Sequence, residues 1–395
     1  MAEPLEGLVV LDHSAMISGP YCTRLLADLG ADVIKVEAPG GDHMRRLRPR
    51  TRGASRFFGQ LNAGKRSVVL DLRHKAGRDA ALELARGADV VIDNWRPGVA
   101  DRLGVGYDDC RRVNGRIVHC SISGYGRAGR HADRAAFAPT IHAFSGFDLA
   151  SMSYQPDHDR PPVTGVFVAD FLGGALAFGA IMTALHRRAA EGVGSQVDVS
   201  MMEGMLSMLV YELQAAVAGL TERRITHPPV RTLDGHLSLT IVNDANWAAT
   251  AAAIGRPELA ADERFRDVSS RTRNWAELQA HVAAWAAGRT TAEAEARLLA
   301  AGAPAARYRS VGDILADPEL RGGFRDVLDA AGPFPVPVTP FRLDEVATPA
   351  GGTRVPALGE HTREVLESVA RLPPEEIDAL FEAGAAVQLD ARGDQ

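Results

Sequence analysis

Residues 8–37, LVVLDHSAMISGPYCTRLLADLGADVIKVE, decide the fold of this chain. Leu8–Asp12 is a short apolar run that predicts a strand. Pro20 suits the first turn of a helix, and Gly30 ends that helix. Asp32–Glu37 predicts a second strand. The order strand, helix, strand predicts a parallel pair, because parallel strands need a long crossover connection.

The same alternation continues along the first third of the chain. Further strands are predicted at Ser67–Leu72, Asp89–Asp93 and Arg116–Ser123, and helical stretches such as Lys75–Arg86 separate them. This rhythm is typical of a doubly wound α/β domain with a parallel sheet.

After residue 221 the composition changes and predicts a second, smaller α/β domain. Residues 222–234 are rich in proline and arginine, and residues 246–301 are mostly helical in pattern. A second proline-rich segment, residues 333–340, then leads back to the large domain. We predict a large domain beginning in residues 1–221, a small domain in 222–332 and a return to the large domain in 333–395.

The apolar stretch Ser200–Gly219 carries four methionines and predicts one long helix. Methionine is common both in protein cores and at adaptable interfaces. This helix is therefore either part of the core or a subunit interface.

The composition is that of a globular protein without an extended basic surface. The 395 residues carry a formal net charge of −6, which argues against nucleic acid as a partner. The three cysteines lack paired spacing, so free thiols in a reducing compartment are expected, and no metal-type cysteine or histidine cluster occurs. We find no signal peptide and no uninterrupted apolar run of membrane-spanning length, and we expect a cytoplasmic protein without a membrane partner.

A single carboxylate, Asp170, interrupts the apolar stretch Val163–Ala184. The residues that follow keep a helical rhythm, so Asp170 is predicted to be the N-cap of a buried helix. A chemical role is compatible with that position. An aspartate at a helix N-terminus, close to Gly173 and Gly174, would be held ionised where a substrate can approach the backbone.

Residues 124–129, GYGRAG, match the dinucleotide-binding pattern G-x-G-x-x-G. The match follows about the fifth predicted strand and does not open a clean helix, and the first strand–helix turn has no glycine triplet. We interpret GYGRAG as a turn, which makes a nicotinamide-dependent dehydrogenase the weakest hypothesis.

Taken together, several stretches resemble the family III CoA-transferases, a fold family that also contains α-methylacyl-CoA racemase. The resemblance extends from residue 10 to about residue 366, and the order and spacing of its pieces make it specific. It implies an interlocked homodimer, each chain having a large Rossmann-like domain joined by two linkers to a smaller domain. The matching pieces are VLDHSAMISGPYCTRLLADLGADVIKVEAPGGD, NAGKRSVVLDL, DVVIDNWRPGVADRLG, SISGYGRAG, the Asp170 stretch, GVGSQVDVSMMEGML and PALGEHTREVL.

The resemblance also implies a mechanism, in which Asp170 is the nucleophile. Its carboxylate would attack an acyl-CoA thioester, giving a mixed anhydride and then an aspartyl-CoA thioester that a carboxylate acceptor converts into the new acyl-CoA. Backbone N–H groups near Gly173 and Gly174 would hold the developing oxyanion. Coenzyme A is then a substrate, and no tightly bound cofactor is expected.

Candidate CoA-binding residues come from an arginine-rich run and from the resemblance. Residues 45–52, RRLRPRTR, hold five arginines after the second strand, which indicates either a solvated loop or a phosphate site led by Arg45 and Arg46. Trp95 is expected either to stack on the adenine or to pack in the core. By resemblance, the other residues near CoA or the pocket are Ile17, Lys65, Arg66, Asn94, Arg96, Arg102 and Phe137.

The chain departs from the family pattern in ways that bear on activity. Family racemases have an adjacent His-Asp pair where this chain has Ala136–Phe137–Ala138. A racemase would therefore need His131 or His142 as a base. We interpret each of these two histidines as a surface or packing residue. Phe137 keeps the aromatic residue of many transferases, but Ala138 replaces their acid.

Formyl-CoA transferases have a glycine-rich lid where residues 223–231 are RRITHPPVR, which disfavours formate–oxalate exchange. With Ile17 in place of a glutamine-type residue, a larger or more apolar acyl group is expected.

The sequence thus favours an acyl-CoA:carboxylate CoA-transferase. The alternatives are an acyl-CoA racemase or isomerase on the same fold and a member that only binds CoA. Neither the acyl donor nor the acceptor is named by the sequence.

Overall fold

The computed structural model describes residues 3–155, 159–220, 225–343, 346–347 and 352–388. The chain forms two units, one of Met1–Val217 with Gly322–Gln395 and one of Ala218–Arg321. The larger unit contains the hairpin Phe324–Pro337, whose first strand the sequence analysis counted with the small domain.

The first part of the large unit alternates strands and helices as predicted. Its elements are β1 (Val9–Asp12), α1 (Ser18–Asp28), β2 (Asp32–Glu37), a 3₁₀ turn (His43–Arg46), β3 (Arg50–Thr51), β4 (Ala54–Ser55), α2 (Arg56–Asn62), β5 (Arg66–Leu70), α3 (Lys75–Gly87), β6 (Val90–Asp93), α4 (Val99–Arg102), α5 (Tyr107–Val113) and β7 (Val118–Ser123). β1 and β2 pair in parallel, with Val9 opposite Asp32, which confirms the parallel pair predicted from residues 8–37.

Helices dominate the next segment of the same unit. Its elements are α6 (Ala138–Phe144), α7 (Phe147–Ser153), α8 (Val168–Glu191), β8 (Ser195–Ser200), α9 (Met201–Met208) and α10 (Val210–Val217). The single helix predicted for Ser200–Gly219 is wrong in detail, because the chain breaks it at Leu209.

The small unit is built around a short antiparallel sheet in the order β11-β10-β9. Its core includes Trp247 and Phe265, whose rings meet edge to face at 5.6 Å. Its elements are β9 (Val230–Arg231), β10 (His236–Leu239), α11 (Asp244–Ala253), a 3₁₀ turn (Pro257–Ala260), α12 (Val268–Arg273), α13 (Trp275–Ala286), α14 (Thr291–Ala300), β11 (Ala305–Arg307) and α15 (Val311–Ala316).

The C-terminal segment completes the large unit. It follows a 3₁₀ stretch (Pro318–Gly323) and contains β12 (Phe324–Asp329), β13 (Gly332–Pro337), β14 (Arg342–Leu343), β15 (Val346–Ala347), α16 (Thr362–Ser368), α17 (Pro374–Glu382) and β16 (Ala386–Val387). β16 joins the edge of the main sheet antiparallel to β5.

The main sheet has the order β16-β5-β2-β1-β6-β7-β8. All of its neighbouring pairs except β16–β5 are parallel. One apolar core contains residues of α1 and α8, such as Leu26 and Ile181, and the other contains residues of α3 and α16, such as Leu84 and Val365. Helices cover both faces, as expected of a doubly wound α/β fold.

Helix α8 corrects the prediction for Asp170. The N-cap is Phe167, which makes no side-chain capping bond within the described residues, and Asp170 is the third residue of the helix. By length and composition alone α8 could cross a membrane. Its residues Ala169, Ala177 and Ile181 nevertheless pack in a core cluster together with strand residues.

Candidate active site

A cavity of about 250 Å³, called here the Asp170 cavity, opens beside the first turn of α8. Asp170 is the one acidic side chain among the described residues that line it. Most of the wall is apolar, including Met16, Ile122 and Met201. The polar and charged side chains in the wall are Ser18, Asn94, Arg96, Ser123 and Arg134.

A second cavity, of about 460 Å³, lies where strands β1, β2, β5 and β6 end, and we call it the strand-end cavity. His13, Asp42, Arg73 and Trp95 are among its lining residues. Ligands of open α/β sheets bind at the carboxyl ends of the strands. Ala15 and Trp95 line both cavities, so the two are adjacent.

The Asp170 carboxyl is largely withdrawn from water. Burial raises its pKa to about 6, because the charged form loses hydration. The group remains mostly ionised at neutral pH, and a carboxylate poorly solvated by water is a better nucleophile than one exposed on the surface.

Gly173 and Gly174 bring α8 close to its neighbours. A Cβ on Gly174 would lie 2.5 Å from the carbonyl oxygen of Ser18, and one on Gly173 would lie 3.0 Å from Cγ of Met201. Both residues are beyond the first turn, where amide N–H groups bond within the helix. Their own amides are thus used within the helix, the oxyanion contact with N–H groups near them stays a prediction, and the lack of a side chain on each glycine allows the close packing.

The segment between β1 and α1, residues 13–17, forms the wall common to both cavities and is held from several sides. Asn94 accepts a bond from the Ala15 N–H at 2.9 Å and donates to the Ala15 carbonyl at 2.7 Å. Lys35 donates to the Ser14 carbonyl at 2.8 Å, and Asp42 accepts a bond from the Met16 N–H. Met16 has a φ of 65°, an uncommon conformation for a residue other than glycine.

Ser123 and Arg134 in the wall of the Asp170 cavity make no side-chain hydrogen bond or ion pair with another described residue. Ser123 Oγ at the end of β7 is buried and makes no hydrogen bond there. Arg134 has no carboxylate of the described chain within ion-pair distance, and its guanidinium lies over the rings of Phe144, at 4.9 Å, and Tyr125, at 5.7 Å. Both groups are free to bind polar atoms of a ligand.

Comparison with known proteins places the chain in one family. The family model described as CoA-transferase family III matches residues 5–362. The chain belongs to CoA-transferase family III. It is thus an enzyme, a CoA-transferase, and the resemblance found in its sequence is confirmed.

Curated relatives and solved structures agree with this assignment. The chain is 33% identical to succinyl-CoA:mesaconate CoA-transferase of Haloarcula hispanica, over 92% of this chain and 96% of the relative. It is 37% identical to acetyl-CoA:oxalate CoA-transferase of Acetobacter aceti, over 69% of this chain and 72% of the relative. A CAIB/BAIF family protein from Brucella suis superposes with a TM-score of 0.79 at 30% identity, covering 93% of this chain and all of that one. Rv3272 from Mycobacterium tuberculosis superposes with a TM-score of 0.81 at 29% identity, covering 92% of this chain and 99% of that one.

The structure brings together part of the residue set that the family resemblance implied. Asn94, Trp95, Arg96 and Phe137 all line the Asp170 cavity with Asp170 itself. The Trp95 ring lies 5.7 Å from the ring of His13, lines both cavities and also packs against the core cluster that contains Leu84 and Val365.

Lys65 does not reach either cavity. Its ammonium is completely buried and donates to Asp12, Asn62, Thr23 and the Pro20 carbonyl at 2.7–3.1 Å. Burial lowers the pKa of Lys65 to about 8, although Asp12 opposes this shift. Lys65 lines neither cavity, so its contact with CoA stays a prediction that these buried contacts do not support.

Arg45, Arg66 and Ile17 also have structural partners. Arg45 forms a two-point ion pair with Glu37, and Arg66 pairs with Asp32 and Glu364. Ile17 is buried in a cluster with Met44 and Phe58. Arg46 donates to the Gly40 carbonyl from an exposed position, and neither it nor Arg102 lines the two cavities. None of these five residues lines the two cavities, and their contacts with CoA stay predictions.

Sequence reasoning missed His13, Arg73, Ser123 and Arg134. The usable signal was their position, since the first three stand at or just after the ends of β1, β5 and β7. Within the described chain no group of three or more histidine, cysteine and acidic side chains could hold a metal ion.

The geometry gives no support to a racemase. Ala136, Phe137 and Ala138 occupy the positions of the family's His-Asp pair, and none of them titrates. His131 lies against Tyr125 and Phe144, and the His142 ring accepts a bond from a backbone amide. A second base opposite Asp170 is therefore absent from the described wall of its cavity.

Proposed function

We propose that this enzyme is an acyl-CoA:carboxylate CoA-transferase that works through a covalent intermediate on Asp170. The observation that carries the proposal is the placement of one half-buried carboxylate, with its pKa raised, in a cavity adjacent to the strand-end cavity. The carboxylate specificity of the relatives, which act on mesaconate and oxalate, fits the same chemistry.

The reaction proceeds in balanced acyl transfers. The Asp170 carboxylate attacks the thioester carbonyl, the C–S bond breaks, and CoA thiolate leaves a mixed anhydride. The thiolate attacks the aspartyl carbonyl of that anhydride, which releases the first carboxylate and forms an aspartyl-CoA thioester. The acceptor carboxylate displaces CoA thiolate to form a second anhydride, and thiolate attack on its acyl carbonyl gives the new acyl-CoA and free Asp170.

CoA is proposed to span the two cavities. Its nucleotide would lie in the strand-end cavity with the face of Trp95 and with Arg73, which is exposed and pairs with Asp71. Its thioester would reach Asp170 past Ala15. Arg96 would neutralise phosphate charge, and Asn94 would hold the wall between the cavities in place. CoA enters and leaves as a substrate, and no tightly bound cofactor is needed.

Arg134 is proposed to bind the carboxylate acceptor. A guanidinium in the wall of the cavity, with no acidic partner in the described chain, favours an anionic ligand. The buried hydroxyl of Ser123 supplies a donor for an oxygen of the acyl group or of the developing oxyanion. Gly174 keeps α8, and with it Asp170, close to α1, while Gly173 keeps α8 close to Met201 and Ile122.

The working form is proposed to be a cytoplasmic homodimer. Helix α10 buries none of its residues in the described chain, although Val210 and Val217 are apolar and 70% and 76% exposed. A second copy would cover this surface. The net charge of −6 disfavours nucleic acid as a partner, and we expect no membrane partner.

The test is to trap the activated aspartyl group. Wild type, Asp170→Ala and Asp133→Ala are incubated with a panel of acyl-CoAs and hydroxylamine, and the intact masses are measured. Hydroxylamine converts an aspartyl thioester or anhydride into a hydroxamate, which peptide mapping should place on Asp170 in wild type and in Asp133→Ala. Asp133 is a matched control because it is exposed and does not line the cavity.

The outcomes separate the hypotheses. An adduct on Asp170 with one acyl-CoA supports the proposal and identifies the donor. Acyl exchange in all three proteins without an adduct would refute the covalent step. If neither an adduct nor acyl exchange is found but the α-proton of an acyl-CoA exchanges in heavy water, the protein would be a racemase. If none of the three is found, the protein would only bind CoA.

A further inference from the structure

The first turn of α8 obtains one of its hydrogen-bond acceptors from another helix. The Ala169 N–H, next to Asp170 in the chain, donates to Nε2 of His142 at 3.1 Å. Phe167, the N-cap residue, offers no capping side chain within the described chain. N–H groups in the first turn of a helix lack an intrahelical acceptor, so the imidazole takes the place of a cap.

His142 is committed to this bond by its surroundings. It lies on α6 and is only 1% exposed, and its ring packs on Phe147 at 5.5 Å. Nδ1 is buried without a hydrogen-bond partner among the described residues. Because Nε2 accepts, the proton of the neutral ring is on Nδ1. Burial lowers the pKa of His142, which favours this neutral form against the opposing charge of Asp148.

The N-terminus of helix α6 lies at the wall of the Asp170 cavity. Its N-cap is Phe137, which lines the Asp170 cavity and is 64% exposed. The same short helix therefore carries a wall residue at one end and, one turn further, the acceptor for the amide that precedes Asp170. A shift of α6 would be transmitted to Asp170 through this bond.

We propose that His142 is a positioning residue for the transfer reaction. By accepting the Ala169 N–H it fixes the first turn of α8 and so the direction of the Asp170 carboxylate. The inference rests on the proposed nucleophilic role of Asp170. The simpler alternative is that His142 only fills space in the core.

Two substitutions distinguish these possibilities. Glutamine in His142→Gln offers a carbonyl acceptor at a similar reach, whereas leucine in His142→Leu fills the space without an acceptor. We expect His142→Leu to lower kcat about tenfold, with KM for acyl-CoA within about twofold, because the substrate still binds but the nucleophile is poorly aimed. His142→Gln should recover most of kcat. His186→Leu is the control, since His186 is exposed on the same helix α8.

A measurement on the unsubstituted enzyme decides the geometry in case His142→Leu fails to fold. Long-range ¹H–¹⁵N spectra report which ring nitrogen carries the proton. The proposal expects a neutral ring protonated on Nδ1.

Equal loss of kcat in His142→Gln and His142→Leu, an unchanged kcat in His142→Leu, or a ring protonated on Nε2 would each overturn the proposal. If the wild-type enzyme transfers CoA between no tested pair of acids, the proposed function fails, and the ring spectra still report whether His142 accepts the Ala169 hydrogen bond.

Discussion

The Asp170 side chain gives the reaction a defined dependence on pH. Burial raises its pKa to about 6, and only the carboxylate attacks a thioester. As pH falls through 6 the protonated fraction rises, so kcat/KM for acyl-CoA should fall about tenfold per pH unit below 5 and be level above 7. Initial rates between pH 4.5 and 8.5, with circular dichroism to verify folding, measure this profile. A midpoint near 4 would contradict the assignment.

The Arg134 guanidinium should affect the acceptor more than the donor. Arg134→Gln removes a charge from the cavity wall, and we expect KM for the acceptor carboxylate to rise about tenfold while KM for acyl-CoA stays within about twofold. Steady-state kinetics with each substrate varied in turn give both values. Arg130→Gln is the matched control, because Arg130 is close in sequence and outside the cavity lining. Equal effects on donor and acceptor would exclude the assignment.

Single residues show where sequence reasoning reached the site and where it stopped. Asp170, Asn94 and Arg96 were predicted and do line one cavity, since they follow strands or open the helix at the sheet edge. Lys65 was also predicted, but it is enclosed by Asp12, Thr23 and Asn62. A lysine that binds phosphate and a lysine that neutralises a buried aspartate have the same local sequence, and only tertiary packing separates them.

Helices α1 and α8 touch at glycine, which makes their spacing testable. In Gly174→Ala the new Cβ would lie 2.5 Å from the Ser18 carbonyl oxygen, so backbone must move, and we expect a loss of about 1–3 kcal/mol in unfolding free energy. Activity should fall as well, because the shift separates Asp170 from the segment before α1. Urea unfolding and kcat are the measurements.

The same helix provides the control for this prediction. A Cβ at Gly179 would meet no described atom within 4 Å, so Gly179→Ala should leave stability unchanged or raise it by up to about 1 kcal/mol. If both alanines behaved alike, the close contact at Gly174 would have no energetic importance.

The presence of a helix or strand was more predictable from the sequence than its first and last residues. Asp32–Glu37 has the predicted bounds, and the helix predicted at Lys75–Arg86 extends one residue further, to Gly87. The start of α8 was placed at Asp170 because aspartate is a good N-cap, yet the helix begins at Val168. The acceptor for its Ala169 amide is His142, distant in sequence, so local propensity could not show it.

The whole molecule is expected to associate through the uncovered surface of α10. Sedimentation velocity should give a species of twice the 42.1 kDa chain mass. Leu213→Asp together with Val217→Asp places charge on exposed apolar positions and should shift the distribution to smaller species. A monomer in the unsubstituted protein at micromolar concentration would refute the homodimer.

The shared wall of the two cavities has a consequence for how this enzyme can diverge from its relatives. Apart from Ala15 and Trp95, each described lining residue belongs to only one of the two cavities. Under the proposed placement of CoA, the nucleotide and the transferred acid are recognised largely by separate sets of side chains, although Arg96 of the Asp170 cavity is assigned to a CoA phosphate. Mutation can therefore change acid preference while leaving carrier recognition intact, so that one scaffold serves many metabolic exchanges.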